Sequence, residues 1–237
     1  MMLKSNNTIQ IGVVGVGYLG RRHLEHTMQL KDAECCGFFD KDAERSALIA
    51  QESGAKSHNS MAALIESANI ITIVVPTVDH FSVAQVCINA GKHVFIEKPM
   101  CETVEEADTL LELAEKKGVQ IHVGHIERLN PALVALNGIE LAPRYIETHR
   151  LAPYTVRGTD VPVVLDLMIH DLDVIISLVK SPVKSVNASG VSIMTDSVDI
   201  ANARITFENG CVANITSSRI AKEYVRKLRI FQQDMYV

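Results

Sequence analysis

The chain has 237 residues, of which 47% are hydrophobic, and a formal net charge of −5. This composition supports one large domain or two modest ones, and the charge argues against a nucleic-acid or anionic-membrane partner. The apolar stretches are too short to span a bilayer, and residues 1–8 are polar without a signal-peptide core. Five cysteines without a C-x-x-C pair indicate a reduced, cytoplasmic protein with neither a disulfide framework nor a zinc knuckle.

The first elements of the chain form a nucleotide-binding pattern. Residues 9–14 are an apolar run typical of a buried parallel strand, and Gly15, Gly17 and Gly20 follow as G-x-G-x-x-G. The first glycine permits a tight turn, the second leaves room for a pyrophosphate, and the third lets the next helix pack closely on the strand. The phosphates then bind at the helix N-terminus. A glycine turn in an ordinary α/β fold is the alternative.

A second apolar run ends at Asp40, about 20 residues after the third glycine. A carboxylate at this position accepts hydrogen bonds from both ribose hydroxyls of NAD and repels the 2′-phosphate of NADP. The sequence therefore predicts an NAD site. Lys41 and Arg45 follow closely enough to weaken the rejection of NADP.

Strands and helices alternate through residues 1–124. Beyond Asp40, strand patterns cover residues 55–58, 69–75, 92–96 and 119–123. Helical patterns cover residues 42–53, 61–67, 80–90 and 103–118, the last opened by a capping box. This alternation predicts a doubly wound parallel sheet of the Rossmann type, which binds ligands outside the carboxyl ends of its strands. The residues at those ends are Gly15, Asp40, Pro76, Lys98 and His125.

The pattern changes after Gly124. A strand is predicted over residues 144–150, and a long, mostly apolar helix over residues 163–180. Further strand patterns cover residues 185–194, 200–207, 211–217 and 225–237, with a hairpin turn at Glu208-Asn209-Gly210. Residues 125–237 are therefore predicted to form a second α/β domain with an open, mainly antiparallel sheet.

An open sheet leaves one apolar face without cover, and closed homo-oligomers are the common solution. We therefore expect a homodimer or a homotetramer. The last strand pattern runs into the final residue without a closing element. This favours a second domain that is truncated at its carboxyl end.

Three polar residues are candidates for catalysis. Lys98 ends a strand between Glu97 and Pro99, where it is either a surface lysine or a cation that stabilises a developing oxyanion. Asp166 and His170 are four residues apart on one face of the long helix, which suits a general base and its orienting carboxylate. A histidine satisfied by a core aspartate is the alternative. No further histidine lies at metal-ligand spacing, so no metal is predicted.

Five motifs occur in a characteristic order: Gly15-x-Gly17-x-x-Gly20, Asp40, Val75-Pro76-Thr77 with His80, Glu97-Lys98-Pro99, and Asp166-x-x-x-His170. Together they resemble the Gfo/Idh/MocA oxidoreductases, the glucose–fructose oxidoreductase and inositol dehydrogenase family. The resemblance implies hydride transfer between NAD(P) and a secondary sugar or polyol carbon, with Lys98, Asp166 and His170 as catalytic residues. The cofactor contacts that it implies are Gly15, Gly17, Tyr18, Leu19, Gly20, Asp40, Pro76, Thr77, His80, Glu97 and Lys98.

Residues 124–131 narrow the resemblance. The run Gly124-His125-Ile126-Glu127-Arg128-Leu129-Asn130-Pro131 is similar to a subgroup that acts on nucleotide-linked amino sugars such as UDP-N-acetylglucosamine. It implies His125, Arg128 and Asn130 as substrate contacts. Many relatives carry a glycine-rich turn where this chain has Asp160-Val161-Pro162-Val163-Val164-Leu165, and relatives are usually longer at the carboxyl end.

The sequence therefore predicts an NAD-dependent sugar dehydrogenase. His170 takes the hydroxyl proton as the hydride leaves for the nicotinamide, Lys98 stabilises the oxygen, and Asp166 orients His170 or Lys98. Three alternatives stay open. They are a free-sugar or inositol dehydrogenase (or an oxidoreductase that retains its cofactor), a non-catalytic NAD(P)-binding regulator, and a metal-dependent lyase.

Overall fold

A computed structural model describes residues 8–155 and 161–237, which form two compact units that divide between Gly124 and His125. Each unit is built around one sheet, and each is described by itself. Within the two described ranges, none of the helices combines the length and the apolar character that a bilayer crossing requires.

The first unit is a parallel α/β unit. Its strands are β1 (Ile9–Val14), β2 (Ala33–Phe39), β3 (Ile70–Ile73), β4 (His93–Ile96) and β5 (Ile121–Val123). Its helices are α1 (Tyr18–Met28), α2 (Ala43–Ser53), α3 (Met61–Ser67), α4 (Thr77–Asn89) and α5 (Val104–Lys117). The strands pair in the order β2-β1-β3-β4-β5, all in parallel. The predicted doubly wound parallel sheet is confirmed.

The central strand β1 is buried on both faces, as its apolar run predicts. Val13 packs with Leu24 of α1 and Phe38 of β2, while Val14 packs into a separate cluster that includes Leu64 of α3 and Ile71 of β3. Successive side chains of a strand point to opposite faces, so one strand serves two cores. This places the carboxyl end of β1 in the interior of the sheet, where the glycine motif follows.

The predicted strand over residues 55–58 is absent. The segment makes one isolated bridge, between Ser57 and Phe38, with backbone hydrogen bonds from Phe38 to Lys56 and from His58 to Phe38. Gly37 explains why pairing stops there, because its φ of +120° bends β2 next to the bridge. A bent edge strand cannot continue a regular ladder.

The second unit contains a six-stranded sheet. Its strands are β6 (Tyr145–Leu151), β7 (Val183–Val191), β8 (Ile200–Phe207), β9 (Val212–Ser218), β10 (Val225–Gln232) and β11 (Met235–Tyr236). Its helices are α6 (Pro131–Val134) and α7 (Ile169–Val179), with a 3₁₀ turn at Ile126–Leu129 and a π-helical turn at Val164–Met168. The order is β11-β10-β6-β9-β8-β7, parallel between β6 and β9 and antiparallel elsewhere. The predicted mainly antiparallel sheet is confirmed.

The apolar face of this sheet is covered by the unit's own helix. Ile205 and Phe207 of β8 pack in one cluster with Met168 and Ile175 from the π-helical turn and α7. On the opposite face the side chains are largely polar, for example the Asn202–Thr216 pair, Arg204 and Asn214. The expectation of an uncovered apolar face is therefore wrong, because α7 buries that face.

Asp199 anchors the loop between β7 and β8. Its buried carboxylate accepts hydrogen bonds from the backbone N–H groups of Ile193, Met194 and Thr195 at 2.7–3.0 Å, and from Arg219 Nε at 3.1 Å. The hydrogen bonds from the backbone, led by that of the Ile193 N–H, hold the pKa of Asp199 well below its usual range. The loop is thus fixed around an ionised carboxylate.

We expect Asp199→Asn to lower the Tm by roughly 5 °C or more at pH 7, because the neutral amide loses its ion pair with Arg219. A depressed carboxyl pKa stabilises the fold above the unfolded-state value of about 3.9, and the stabilisation is lost as the pH falls through the folded-state value. The Tm difference between variant and wild type should therefore shrink progressively below about pH 4. Thermal denaturation followed by circular dichroism measures it.

The exposed Asp196 of the same loop provides a matched control. Asp196→Asn removes the same charge and should leave the Tm almost unchanged at either pH. If Asp199→Asn had the same Tm as the wild type at pH 7, Asp199 would not be the ionised anchor of this loop.

Candidate functional site

The turn between β1 and α1 has the backbone geometry that its glycines predict. Gly15 adopts a φ of +87°, and a Cβ there would lie 2.5 Å from the carbonyl oxygen of Val74. A Cβ on Gly20 would lie 1.9 Å from the carbonyl oxygen of Gly15, so α1 approaches the turn as closely as only glycine allows. A Cβ on Gly17 would meet nothing within 4 Å. The space beside Gly17 is therefore open to a ligand.

An arginine-rich cavity of about 410 Å³ lies beside the N-terminus of α1, and we call it the α1 cavity. It is lined by Val16, Gly17, Tyr18, Arg21, Arg22, Glu25, Arg45 and Ile49. The helix N-terminus at Gly17 has no side-chain cap, and the first turn of α1 carries no acidic residue. Free N–H groups, the helix dipole and three arginines all favour an anion. The residues present therefore fit a dinucleotide, with its diphosphate at the helix N-terminus.

Asp40 lies beneath this cavity and is almost fully buried. Its Oδ2 accepts from the Val16 N–H at 2.8 Å and its Oδ1 from the Asp42 N–H at 2.9 Å. The Arg45 Nη1 lies 3.2 and 3.3 Å from the two carboxylate oxygens. Asp40 thus stabilises the glycine-rich turn through the Val16 N–H. Arg45 lines the cavity, whereas Asp40 does not. Its hydrogen bonds to a ribose stay a prediction.

His80 joins the carboxyl ends of β3 and β4. Pro76 and Thr77 open α4, and this places His80 in the interior with 1% of its surface exposed. Its Nδ1 lies 2.8 Å from the Pro99 carbonyl oxygen and its Nε2 3.0 Å from the Val75 carbonyl oxygen. A side chain buried in this way fixes the backbone on both strand ends. It braces the residue that directly follows Lys98.

Glu97 ties the strand end that carries Lys98 to α1. Its Oε1 lies 2.8 Å from His23 Nε2, and its Oε2 accepts from the Lys98 N–H at 3.2 Å. Burial raises the pKa of Glu97, but the hydrogen bond and charge of His23, with the Lys98 N–H and charge, outweigh burial and lower it overall. A Cβ on Gly124 would lie 2.9 Å from Oε1. Lys98, partly buried, is therefore held by a carboxylate whose position is fixed on three sides.

Asp166 and His170 lie where the predicted long helix begins, but the first part of that helix is the π-helical turn. In an α-helix a step of four residues overshoots a full turn by about 40°. The wider π-helical turn reduces this offset, so Asp166 and His170 come closer to one line along the helix. Both side chains are partly buried. The helical pattern in the sequence did not reveal this change of winding, which is frequent at functional sites.

A buried ion pair lies next to His170. Asp171 accepts from Arg150 Nε at 3.0 Å and from Arg150 Nη2 at 2.9 Å, and Arg150 Nη1 reaches Glu127 at 3.4 Å. Burial raises the pKa of Asp171, and the Arg150 charge opposes that rise. Sequence reasoning missed Arg150. The alternation of β6 could have indicated it, because Arg150 follows the buried Thr148 by two residues and therefore lies on the same inward face of the strand.

The predicted substrate contacts lie beside two carboxylates of the second unit, Asp173 and Glu127. Arg128 donates to Asp173 through Nε at 2.6 Å and Nη2 at 2.5 Å, and His125 Nδ1 lies 4.0 Å from the same carboxylate. The Asn130 side chain donates to Glu127 at 2.7 Å and accepts from the Ala132 N–H of α6 at 3.0 Å. The structure thus brings His125 and Arg128 together at Asp173, whereas Asn130 pairs with Glu127. Their contacts with a substrate stay a prediction.

Two family models together match most of the chain. A model described as "Oxidoreductase family, NAD-binding Rossmann fold" (GFO_IDH_MocA) matches residues 9–125, and the GFO/IDH/MocA C-terminal domain model matches residues 147–234. In the segment 160–165, where many relatives were expected to carry a glycine-rich turn, Asp160 lies outside the described residues. Residues 161–163 lead into the π-helical turn, which begins at Val164.

Individual relatives agree with these matches. UDP-N-acetylglucosamine 3-dehydrogenase from Acidithiobacillus ferrooxidans is 42% identical over 229 residues, which cover 96% of this chain and 72% of that protein. A solved structure of that enzyme has a TM-score of 0.92, covering 97% of this chain and 75% of the other. Myo-inositol 2-dehydrogenase from Thermotoga maritima is 28% identical over 243 residues, or 94% of this chain and 72% of that protein.

We expect Gly17→Val to weaken NAD binding at least about 100-fold without lowering the Tm, because the new side chain fills pyrophosphate space. It meets no protein atom near its Cβ, and the φ of −64° at this position suits any residue. Isothermal titration calorimetry gives the Kd, and thermal denaturation gives the Tm.

Gly20→Ala provides the contrast within the same motif. Its Cβ would lie 1.9 Å from the Gly15 carbonyl oxygen, so this variant should lose stability as well as binding. Undiminished NAD affinity in Gly17→Val would count against a pyrophosphate beside Gly17.

Proposed function

The chain belongs to the Gfo/Idh/MocA oxidoreductase family, and on that premise we propose that it is an NAD-dependent dehydrogenase of a nucleotide-linked sugar such as UDP-N-acetylglucosamine. The observation that carries the substrate class is the 42% identity, across nearly the whole chain, to an enzyme named for that sugar nucleotide. The α1 cavity supports the cofactor, because it offers open N–H groups and arginines to a diphosphate.

The proposed reaction oxidises a secondary hydroxyl of the sugar. Bound NAD supplies the hydride acceptor. His170 takes the hydroxyl proton as general base, and Asp166 orients its ring. Lys98 donates to the substrate oxygen and stabilises the negative charge that develops on it.

The surroundings of these residues support the roles. Lys98 follows Glu97, which His23 holds, and precedes Pro99, whose carbonyl oxygen His80 contacts. His170 precedes Asp171, which a bidentate pair with Arg150 fixes in the interior. Lys98 and His170 are thus attached to backbone that buried polar contacts hold in place, as catalysis by preorganised groups requires.

Substrate-dependent reduction of NAD tests the proposal. The purified protein is mixed with NAD and, separately, with UDP-N-acetylglucosamine, N-acetylglucosamine or myo-inositol, and NADH formation is followed by its absorbance. We expect turnover with the nucleotide sugar alone. The Thermotoga maritima relative favours a second candidate, an inositol dehydrogenase, which turnover with myo-inositol alone would establish. NAD binding without turnover of any sugar would favour a cofactor-binding regulator.

Single-turnover hydride transfer tests the residue roles. His170→Ala should slow the chemical step by about 10²- to 10⁴-fold and Lys98→Met by about 10²- to 10³-fold. The double variant should lose less than the product of the two, because both residues act on one oxygen. NAD affinity should stay near normal. Exposed residues of the same types give controls, His26→Ala and Lys117→Met, which should leave the rate unchanged. Near-full turnover in a single variant would remove that residue from the mechanism.

We also propose that the protein acts in the cytoplasm as a homodimer or homotetramer. None of its five cysteines, all within the described residues, forms a disulfide bond in the structure, which supports a reducing compartment. The open face of the second sheet supports self-association, because its polar centre is bordered by the ring cluster of Tyr145, Phe231 and Tyr236. Sedimentation velocity should show a dimer or tetramer that persists on dilution. A monomer at every concentration would contradict the proposal.

A further inference from the structure

The second unit holds a buried carboxylate to which the proposed mechanism gives no role. Glu127 lies in the 3₁₀ turn at Ile126–Leu129, which packs on α7. Its Oε2 accepts from Arg150 Nη1 at 3.4 Å, and its Oε1 accepts from Asn130 Nδ2 at 2.7 Å. The Glu127 side chain is only 16% exposed. Two polar contacts therefore fix this carboxylate in the interior.

The 3₁₀ turn is attached to α7 at two points close to His170. Glu127 shares one guanidinium with Asp171, the residue directly after His170. Arg128, the next residue of the turn, binds Asp173 through two hydrogen bonds. His170 and Asp173 are three residues apart, so they lie on one face of the helix. The two attachments thus place the turn that carries Glu127 against the part of α7 that carries His170.

The charges of Glu127 and His170 attract each other. Burial raises the pKa of Glu127, but the hydrogen bond from Asn130 and three positive charges outweigh burial and lower it. Those charges are on Arg150, His170 and Arg226. Because the attraction is mutual, the Glu127 carboxylate favours the protonated form of the His170 ring.

Other charged groups lie on α7 and on the elements packed against it, which are the 3₁₀ turn, the π-helical turn, β6 and β9. Those inside or adjoining this cluster are His125, Arg128, Arg150, Asp166, Asp171 and Asp173, with Arg226 on β10. β9 has no titratable residue. Asp171 and Asp173 each receive two hydrogen bonds from an arginine, which largely neutralise their charges. Glu127 has one longer contact with Arg150, so more of its charge acts on its surroundings.

We propose that Glu127 is a positioning residue, whose carboxylate stabilises the imidazolium form of His170 as that ring takes up the hydroxyl proton. The inference rests on the proposed function, in which His170 is the general base, and deepens it. The proton passes from the substrate hydroxyl to His170 while the hydride leaves the same carbon for bound NAD, so the ring gains a positive charge. A fixed carboxylate nearby lowers the free energy of that charged state.

Histidine-selective NMR on the whole chain, recorded as a pH titration, measures this effect. Glu127→Gln removes the charge but keeps the length of the side chain and an oxygen that accepts from Arg150. We expect the titration midpoint of His170, identified by its loss in His170→Ala, to fall by about 0.5 to 1 pH unit. Glu127→Asp, which keeps the charge on a shorter side chain, should recover part of this shift. An unchanged midpoint in Glu127→Gln would overturn the inference.

The pH profile of NADH formation with UDP-N-acetylglucosamine is a second readout. In Glu127→Gln the acid limb of kcat/KM should move to lower pH by the same amount, because His170 loses its proton more easily. Above that limb, kcat should fall about two- to fivefold, since a weaker base removes the proton more slowly, while KM changes by less than about twofold. A loss of activity with the acid limb in its wild-type place would show a merely structural role and overturn the inference.

Glu147→Gln is the matched control. Glu147 also pairs with an arginine, Arg229 at 3.0 Å, but it is 29% exposed and lies on the outward face of β6. Its replacement should leave the His170 midpoint within about 0.2 pH unit of the wild type. An equal shift in both variants would show a general charge effect and overturn the assignment to Glu127.

Arg226→Gln tests the sign of the effect without disturbing the interior, because Arg226 is exposed. Its positive charge opposes that of Glu127, so its removal should raise the His170 midpoint. A fall of the midpoint in this variant would overturn the electrostatic explanation.

The NMR titration needs neither cofactor nor substrate, so it separates the inference from the proposed function. Turnover of the nucleotide sugar with an unshifted midpoint in Glu127→Gln would overturn the inference and leave the dehydrogenase proposal standing. A shifted midpoint without turnover of any sugar would overturn the dehydrogenase proposal and support the charge coupling between Glu127 and His170.

Discussion

The close approach of α1 to the end of β1 is the constraint on which the first unit depends. It is possible because Gly20 has no Cβ to meet the Gly15 carbonyl oxygen, which would otherwise lie at 1.9 Å. This contact aims the N-terminus of α1 at the α1 cavity and brings His23, one turn along the helix, to Glu97. Glu97 in turn fixes the backbone of Lys98. One backbone contact thus sets both the anion end of the helix and the strand end that carries the proposed catalytic lysine.

The second unit reaches comparable rigidity through charge. Arg150 and Asp171 are both buried, and removing either would leave the other uncompensated in the interior. The pair therefore joins the start of α7 to the middle of the sheet. The π-helical turn just before α7 alters the direction in which Asp166 points relative to His170. Glycine contacts in one unit and a buried ion pair in the other achieve the same result, a fixed backbone beside a reactive side chain.

Much of this architecture could be predicted from the sequence because its signals are local. The glycine motif, the capping box at Thr103 and the alternation of β8 each depend on residues a few positions apart. The missing strand at residues 55–58 could not be foreseen, since it depends on the bend at Gly37. The ion pairs between Arg45 and Asp40 and between Arg150 and Asp171 could not be foreseen either. These are side-chain arrangements between elements, and periodicity carries no information about them.

The parallel pairing of β6 with β9 has a consequence for the order of assembly. Arg150 of β6 pairs with Ser217 of β9 and Arg226 of β10. The strand β6 therefore has no neighbouring strand until these much later parts of the chain have been synthesised. The helix α7, which carries His170, is synthesised after β6 and before β9, and it packs on both strands. Contacts of such long sequence separation close slowly, whereas the βα repeats of the first unit close as they emerge. During synthesis the cofactor unit should therefore be complete while the unit with the proposed base is still unformed.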